Sequence, residues 1–447
     1  MSSLQDKARA AKAASFKMAF CITDQKNKAL DAMADQIQKE GERILEANNK
    51  DLSNAQTLLK EGKYSESLVK RLRLDNEKLQ SIVEMVKSVS ALEEPIGKTQ
   101  YAIELDRGMN LYRVTSPIGV IGVIFESRPD ALPQIASLCL KSGNAVIMKG
   151  GSEARNSNQT LYSIIAEATV KAGLPDGWIQ LIDSRSEVME LLKLHEYVDL
   201  IVPRGSNSFV KYIQDNTKIP VLGHSEGVCQ IYVDEKADLR EAVEICFDAK
   251  VQYPTVCNAV DALLIHRSVA EEFLPLLAER FEKSGVEIRG DDTTCRILQT
   301  KAKRATKADW GYEFLDLIVA IRVVQDSEEA VGYINTHGSH HTDSIITEDA
   351  KAAVSFIERV DSASVMWNAS TRFSDGYRYG LGAEVGISTG KIHARGPTGL
   401  EDLTIYKYHL IGSGQVVKDY VEGTRKFTHH KLKKNWSDEK KKLLERI

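Results

Sequence analysis

Between Val120 and Val233 the chain repeats one pattern: a short, mostly apolar run, then a stretch long enough for a helix. The runs are Val120 to Phe125, Ala145 to Met148, Ile179 to Ile182, Leu200 to Val202, Pro220 to Leu222 and Gln230 to Val233. They lack the alternating polarity of a strand with one face in water. A strand that is apolar on both sides must be covered on both faces, and helices connecting parallel strands provide that cover. Leu161 to Ala172 reads as one such helix, stopped by Gly173-Leu174-Pro175. A second series begins near Ala259: strand Ala262 to Ile265, helix Ala270 to Lys283, strand Ile318 to Val324, helix Ser327 to Ile334, strand Ser344 to Thr347 and helix Asp349 to Arg359. The expected fold class is α/β, with two parallel-sheet units in tandem. The boundary is expected between Leu222 and Gln230, where Gly223 and Gly227 interrupt the apolar pattern.

Other segments follow different periods. In the first ninety residues apolar side chains recur at helical spacing, as in Leu30, Met33 and Ile37, then Leu79, Ile82, Val83 and Val86. From Gly97 the pattern alternates: Tyr101, Ile103 and Leu105 precede an Asp106-Arg107-Gly108 turn, with Leu111 and Tyr112 beyond it. That predicts a β-hairpin. A lone hairpin is marginal in water, so this one is expected to lie on another domain or on a partner subunit. Beyond Gly423 the chain is Lys-rich, with His429, His430 and a Lys440-Lys441-Lys442 run, and reads as a solvated terminal helix.

Composition excludes several function classes. A length of 447 residues suggests two or three domains. The 59 Lys and Arg against 63 Asp and Glu leave a formal charge of -4, so there is no overall basic field for a nucleic-acid backbone. The six cysteines, at 21, 139, 229, 246, 257 and 295, form no Cys-x-x-Cys pair and no zinc spacing. The first residues lack the apolar core of a secretion signal, and the longest apolar run, Ile118 to Phe125, is far short of the ~20 residues that span a bilayer. These features predict a reduced, cytoplasmic protein without a membrane segment.

Two stretches carry the most specific signal. One is Ser116-Pro-Ile-Gly-Val-Ile-Gly-Val-Ile-Phe-Glu-Ser-Arg-Pro129, followed by Leu138-Cys-Leu-Lys-Ser-Gly-Asn-Ala-Val-Ile-Met-Lys149-Gly-Gly-Ser152. The other is Gln252-Tyr-Pro-Thr-Val-Cys257-Asn-Ala-Val260, a polar turn leading into the second α/β unit. Together with Arg204-Gly205-Ser206 and Glu313-Phe314, they resemble the aldehyde dehydrogenase superfamily. Within it the chain is similar to the γ-glutamyl phosphate reductase (glutamate-5-semialdehyde dehydrogenase) family. That likeness rests on Gly119 to Pro129, Pro254 to Asn258, Val360 to Val365, Asn368 to Phe373, Gly380 to Thr389 and His393 to Pro397, and covers nearly the whole chain. No amino-acid kinase segment precedes the helical start, so a monofunctional enzyme is expected.

The resemblance implies an aldehyde dehydrogenase-like fold with a β-hairpin oligomerisation flap. It divides the chain into a cofactor unit (1–97 and 117–227), a catalytic unit (228–395), the flap (98–116 and 396–415) and a charged tail (416–447). It implies Cys257 as nucleophile, while a buried, inert thiol is the expectation for the other five cysteines. Arg128 falls near the oxyanion-donor position, where a guanidinium suits an acyl phosphate better than a neutral amide. Lys149 and Ser152 fall at the cofactor ribose and favour the 2′-phosphate of NADPH, with Glu153 one residue further on. Arg204, Gly205 and Ser206 fall under the cofactor phosphates, and Glu313 faces the nicotinamide ribose. Asn258, Asn368, Ser370, Thr371, Arg372 and Arg395 are candidate substrate donors, and Glu384 and Glu126 candidate acceptors. Polar residues in such a row can equally build a turn. His224, with Glu226 nearby, falls where hydrolytic relatives keep a general base. No metal is implied.

The implied reaction is NADPH-dependent reduction of L-glutamyl 5-phosphate to L-glutamate 5-semialdehyde and phosphate through a Cys257 thioester, the second step of proline synthesis from glutamate. A homo-oligomer is expected, and the upstream glutamate kinase is a candidate partner. The alternatives are a non-phosphorylating semialdehyde dehydrogenase and a catalytically inert scaffold using the Lys-rich tail.

Overall fold

The computed structural model describes residues 3–205, 207–223 and 226–445. Five helices open the chain: α1 (Leu4–Met18), α2 (Thr23–Lys39), α3 (Gly41–Lys60), α4 (Glu66–Leu72) and α5 (Asn76–Ala91). Local chemistry fixes their starts. Ser3 and Asp6 form a reciprocal capping box on α1, and the Asp75 side chain accepts from the Lys78 N–H at the start of α5. The apolar stripe read from the sequence is buried: Leu30, Met33 and Ile37 of α2 pack with Leu79, Ile82, Val83 and Val86 of α5.

Two strands of a hairpin follow, β1 (Thr99–Asp106) and β2 (Met109–Pro117), and the chain then enters its first parallel sheet. That sheet has the order β5-β4-β3-β6, with β3 (Val120–Phe125), β4 (Ala145–Lys149), β5 (Ile179–Ile182) and β6 (Leu200–Arg204). All six residues of β3 are buried. Its alternate side chains serve opposite cores: Ile121, Val123 and Phe125 pack in the core of α2 and α5, which is extended by α6 (Ala131–Lys141) and α7 (Arg155–Lys171). Val120 and Ile124 pack in the core of α1, α8 (Arg185–Leu191) and α9 (Asn207–Asp215). The segment Pro220 to Leu222, expected as a strand, adds only an isolated bridge between Val221 and Ile201.

The second sheet is wider. It has seven parallel strands: β7 (Cys229–Val233), β8 (Val260–His266), β9 (Glu287–Gly290), β10 (Lys303–Arg304), β11 (Ile318–Val324), β12 (Thr342–Ile346) and β13 (Ser364–Trp367), in the order β10-β9-β11-β8-β7-β12-β13. Helices α10 (Leu239–Val251) and α11 (Ala270–Glu282) cover one face with Cys246, Phe273 and Phe281, and α12 (Asp292–Leu298) adds Leu298 to that core. Helices α13 (Ser327–His337) and α14 (Ala350–Arg359) cover the other with Ile334 and Phe356. The fold is thus α/β with two parallel sheets, as the apolar runs require.

After a small ribbon, β14 (Gly386–Ser388) and β15 (Gly396–Thr398), strand β16 (Thr404–Ile411) pairs antiparallel with β2 and so widens the hairpin. The tail differs from the free helix expected. It contains α15 (Val417–Val421), β17 (His430–Leu432), which pairs antiparallel with β1, and α16 (Trp436–Leu444). Trp436 packs on Tyr112 and His409 at ring separations of 5.8 and 4.2 Å, and Tyr112 donates a hydrogen bond to Glu439 at 3.1 Å. Lysines flank these contacts and stay in solvent, which is why composition alone suggested an undocked segment.

Candidate active site

In the first sheet the chain order reverses between β3 and β6, and the carboxyl ends of these strands open into a cleft, the usual ligand position in an open α/β sheet. Beyond Phe125 the loop carries Glu126, Ser127 and Arg128 into α6, and beyond Arg204 the chain passes through Gly205 into α9. The second unit faces this opening with the α10–β8 loop, which holds Cys257, and with a turn that holds Glu313 and Leu315. Arg71 of α4 and the Glu384–Ile387 segment close the remaining sides. One cavity of about 720 Å³ contains them all.

The Cys257 loop is held from behind. Gly227 approaches so closely that a Cβ there would lie 2.4 Å from Cys257 Cβ and 2.8 Å from its Cα. Cys229 donates its thiol proton to the Cys257 carbonyl at 3.1 Å. Asn258 is buried, donating through Nδ2 to Ser374 O and accepting at its carbonyl from Thr371 Oγ1, each at 2.8 Å. Cys257 itself is partly exposed and Cys139, Cys229 and Cys246 are buried, but Cys21 and Cys295, expected to be buried as well, are partly exposed. Burial pushes the thiols of Cys139, Cys229 and Cys246 well above the ordinary range.

Three arginines and three glutamates share the cavity: Arg71, Arg128, Arg204, Glu126, Glu313 and Glu384. Burial pushes the Arg204 guanidinium down, Glu384 opposes this and Arg128 adds to it, and Cys257 also lies within electrostatic range. Arg204 Nη1 is enclosed and has no hydrogen-bond partner among the described residues. Glu384 accepts from the Gly376 N–H, and Glu313 from Asn207 Nδ2, both at 2.7 Å. The Glu313 turn is fixed by a buried ion pair: Lys250 lies 3.3 Å from Asp261 and donates to Asp316 O at 3.2 Å, while Asp261 accepts from the Phe314 N–H at 3.2 Å. Burial raises the Asp261 carboxyl and lowers the Lys250 ammonium.

A second cavity, of about 700 Å³, continues between α8 and α9 and shares Glu126 and Ser208 with the first. Its other lining residues are Ser186, Val188, Met189, Phe209 and Tyr212, a largely apolar slot suited to a flat aromatic ligand. A third, about 360 Å³, lies on the α3 side, with Ser152, Glu153 and Arg155 in its wall.

The structure brings Cys257, Arg128, Arg204, Gly205 and Glu313 together, with both expected acceptors, Glu126 and Glu384. Ser206 and His224 lie outside the described residues. Lys149 is partly buried at the end of β4, and Ser152 lines the third cavity. The Glu153 carboxylate is turned back onto the β3 loop, accepting from Ser127 N–H at 2.6 Å and from its hydroxyl at 3.0 Å. Asn258, Ser370, Thr371 and Arg372 are buried and outside the lining of the Cys257 cavity, and Arg372 donates to Gln252 at 2.9 Å. Asn368 and Arg395 are engaged elsewhere. Asn368, with φ +49°, bonds both backbone groups of Thr347, and Arg395 pairs with Asp361 at 2.9 Å. Glu226 is exposed and outside the cavity lining.

Reasoning from sequence missed Arg71, Asn207, Ser208, Phe209 and Tyr212. The last four lie on the helix that follows Arg204-Gly205, so extending the motif through the first two turns of α9 would have found them. Arg71 has no such signal, because it comes from a short helix remote from every motif. No metal-binding cluster is present among the described residues, and no described helix is long and apolar enough to cross a membrane.

The model of the aldehyde dehydrogenase family matches residues 3–307. The chain is 57% identical to the γ-glutamyl phosphate reductase of Natronomonas pharaonis, over 96% of this chain and 98% of that one. It is 54% identical to the γ-glutamyl phosphate reductase of Methanosarcina mazei, over 97% and 99%. The crystal structure of γ-glutamyl phosphate reductase from Thermotoga maritima superposes with a TM-score of 0.90 at 40% identity, covering 93% of this chain and all of that one.

Proposed function

Because this chain belongs to the aldehyde dehydrogenase family and, within it, to the γ-glutamyl phosphate reductases, oxidoreductases of proline biosynthesis, we propose that it reduces L-glutamyl 5-phosphate with NADPH through a thioester on Cys257. The observation that carries this reading is the placement of Cys257 in one cavity with Arg128, Arg204 and the carboxylates of Glu126, Glu313 and Glu384. The Cys257 thiolate attacks the γ-acyl carbon and expels phosphate. Arg128, at the carboxyl end of β3, stabilises the oxyanion that develops during attack. Glu126 and Glu384 are acceptors within reach of the cavity for the substrate ammonium. Glu226, the carboxylate nearest in sequence to the place where hydrolytic relatives keep a general base, is exposed and outside the cavity lining.

The two joined cavities fit a dinucleotide. Val188, Met189, Phe209 and Tyr212 would flank its adenine, and Glu313 its nicotinamide ribose. Lys149 and Ser152 would meet a 2′-phosphate at the third cavity, whose wall also holds Glu153, engaged there by the Ser127 N–H and hydroxyl. When bound, the nicotinamide supplies the hydride. Exposed Tyr406, Tyr408 and Leu410, at alternate positions of β16, give the flap an apolar face suited to a second copy.

Intact-mass measurement tests the covalent step. Glutamate 5-semialdehyde and NADP, supplied without phosphate and quenched in acid, should add one glutamyl group to the wild-type chain and none to Cys257→Ala. An equal adduct on both proteins would overturn the assignment.

A further inference from the structure

Arg204 was expected under the cofactor phosphates, yet its surroundings belong to the other half of the cleft. It is the last residue of β6 and pairs in register with Phe125 of β3, so it stands beside the strand whose continuation carries Arg128. Both guanidiniums line the cavity of Cys257, and neither lines the slot between α8 and α9, although Ser208 and Phe209, only a few residues past Arg204, do. Arg204 Nη1 is enclosed without a hydrogen-bond acceptor among the described residues, and the neighbouring carboxylate of Glu384 accepts from the Gly376 N–H. In the cavity that they share with Arg71 and three glutamates, Arg128 and Arg204 oppose each other, and a doubly charged anion between the two guanidiniums offsets both. We infer that Arg204, together with Arg128, clamps the phosphate of the acyl-phosphate substrate, which makes it a catalytic residue for the departure of phosphate rather than a cofactor ligand.

The inference rests on the reaction proposed above. The Cys257 sulfur forms a bond to the acyl carbon, the tetrahedral adduct collapses, and the carbon–oxygen bond to phosphate breaks with its electron pair leaving on the phosphate oxygen. Two guanidiniums around that oxygen and its neighbours hold the developing charge, so the leaving group departs without a proton donor. In the reverse direction the same pair holds inorganic phosphate for attack on the thioester.

Kinetics in the reverse direction, with glutamate 5-semialdehyde, NADP and inorganic phosphate, test this with Arg204→Gln and Arg204→Lys. Loss of a charged, bidentate donor should raise the KM for phosphate at least about 10-fold in Arg204→Gln, and less in Arg204→Lys, with the KM for NADP within about 2-fold of wild type. An unchanged phosphate KM in both variants, or a rise confined to NADP, overturns the inference. Wild-type enzyme provides a second arm that needs no substitution. Phosphate should protect the Arg204 peptide from an arginine-selective dicarbonyl reagent and NADP should not, and the opposite pattern overturns the inference. A wild-type enzyme indifferent to phosphate would instead remove the proposed reaction itself, so the two failures are distinct.

Discussion

At the Cys257 end of the cleft, three arginines and three glutamates line one cavity with the thiol, whereas at the α8–α9 end Val188, Met189, Phe209 and Tyr212 present mostly apolar surface. The support differs as well. The charged end is assembled from loops of both units and tied down by the Lys250–Asp261 pair, the Gly227 contact and the Asn258 hydrogen bonds. The apolar end is the groove between two helices, and Met189 and Tyr212 there remain substantially exposed. Charge stabilisation acts only if its groups are held in place, which demands rigid loops, whereas stacking on a flat ring tolerates side-chain movement. One end should therefore govern chemistry and the other affinity for the dinucleotide.

The sharpest way to break this division is to remove the thiol. Cys257→Ala should lower turnover by about 10⁴-fold or more while the Kd for NADPH, followed by fluorescence titration, stays within about 2-fold. Arg128→Gln comes next, with kcat falling about 10²- to 10³-fold and NADPH affinity unchanged; a pure loss of NADPH affinity would place Arg128 at the wrong end. At the apolar end, Tyr212→Ala should weaken NADPH binding about 3- to 10-fold, with the KM for phosphate unmoved.

The smallest effect concerns the support behind Cys257. Asp343 is buried, accepting from the Gln230 N–H and from the Ser362 hydroxyl, and burial pushes its carboxyl up to about 7. In the unfolded chain it ionises near pH ~3.9. Its stabilising contribution is therefore complete below that pH and is lost as pH rises towards about 7. Asp343→Asn should flatten the fall in urea midpoint between pH ~4.5 and ~7.5, and an unchanged pH slope would show that Asp343 does not titrate in that window.

The elements visible in the sequence were those whose burial leaves a chemical trace. Val120 to Phe125 and Ile318 to Val324 appear with the bounds read from their apolar runs, because strands covered on both faces admit little else. The short strands Glu287–Gly290 and Lys303–Arg304 went unread, since the sheet edge they form admits polar and charged side chains. The site divides in the same way. Cys257, Arg128 and Arg204 sit in motifs at strand ends, and the fold brings those ends together. Asn368 and Arg395 sit in equally specific motifs, but their polar atoms bond backbone groups and Asp361, and a sequence does not distinguish a donor used by the fold from one offered to a ligand. Arg71 reaches the cavity only because Asn48 anchors α4, donating to Leu72 O at 2.9 Å and accepting from Leu74 N at 2.8 Å, a tertiary arrangement without local signature.

The central claim is that phosphate, not water, is the partner of the acyl group on Cys257. Its most direct test is the rate of NADP reduction by glutamate 5-semialdehyde as inorganic phosphate is varied from zero. A rate that rises from near nothing and saturates with phosphate is predicted, and a rate independent of phosphate would contradict it.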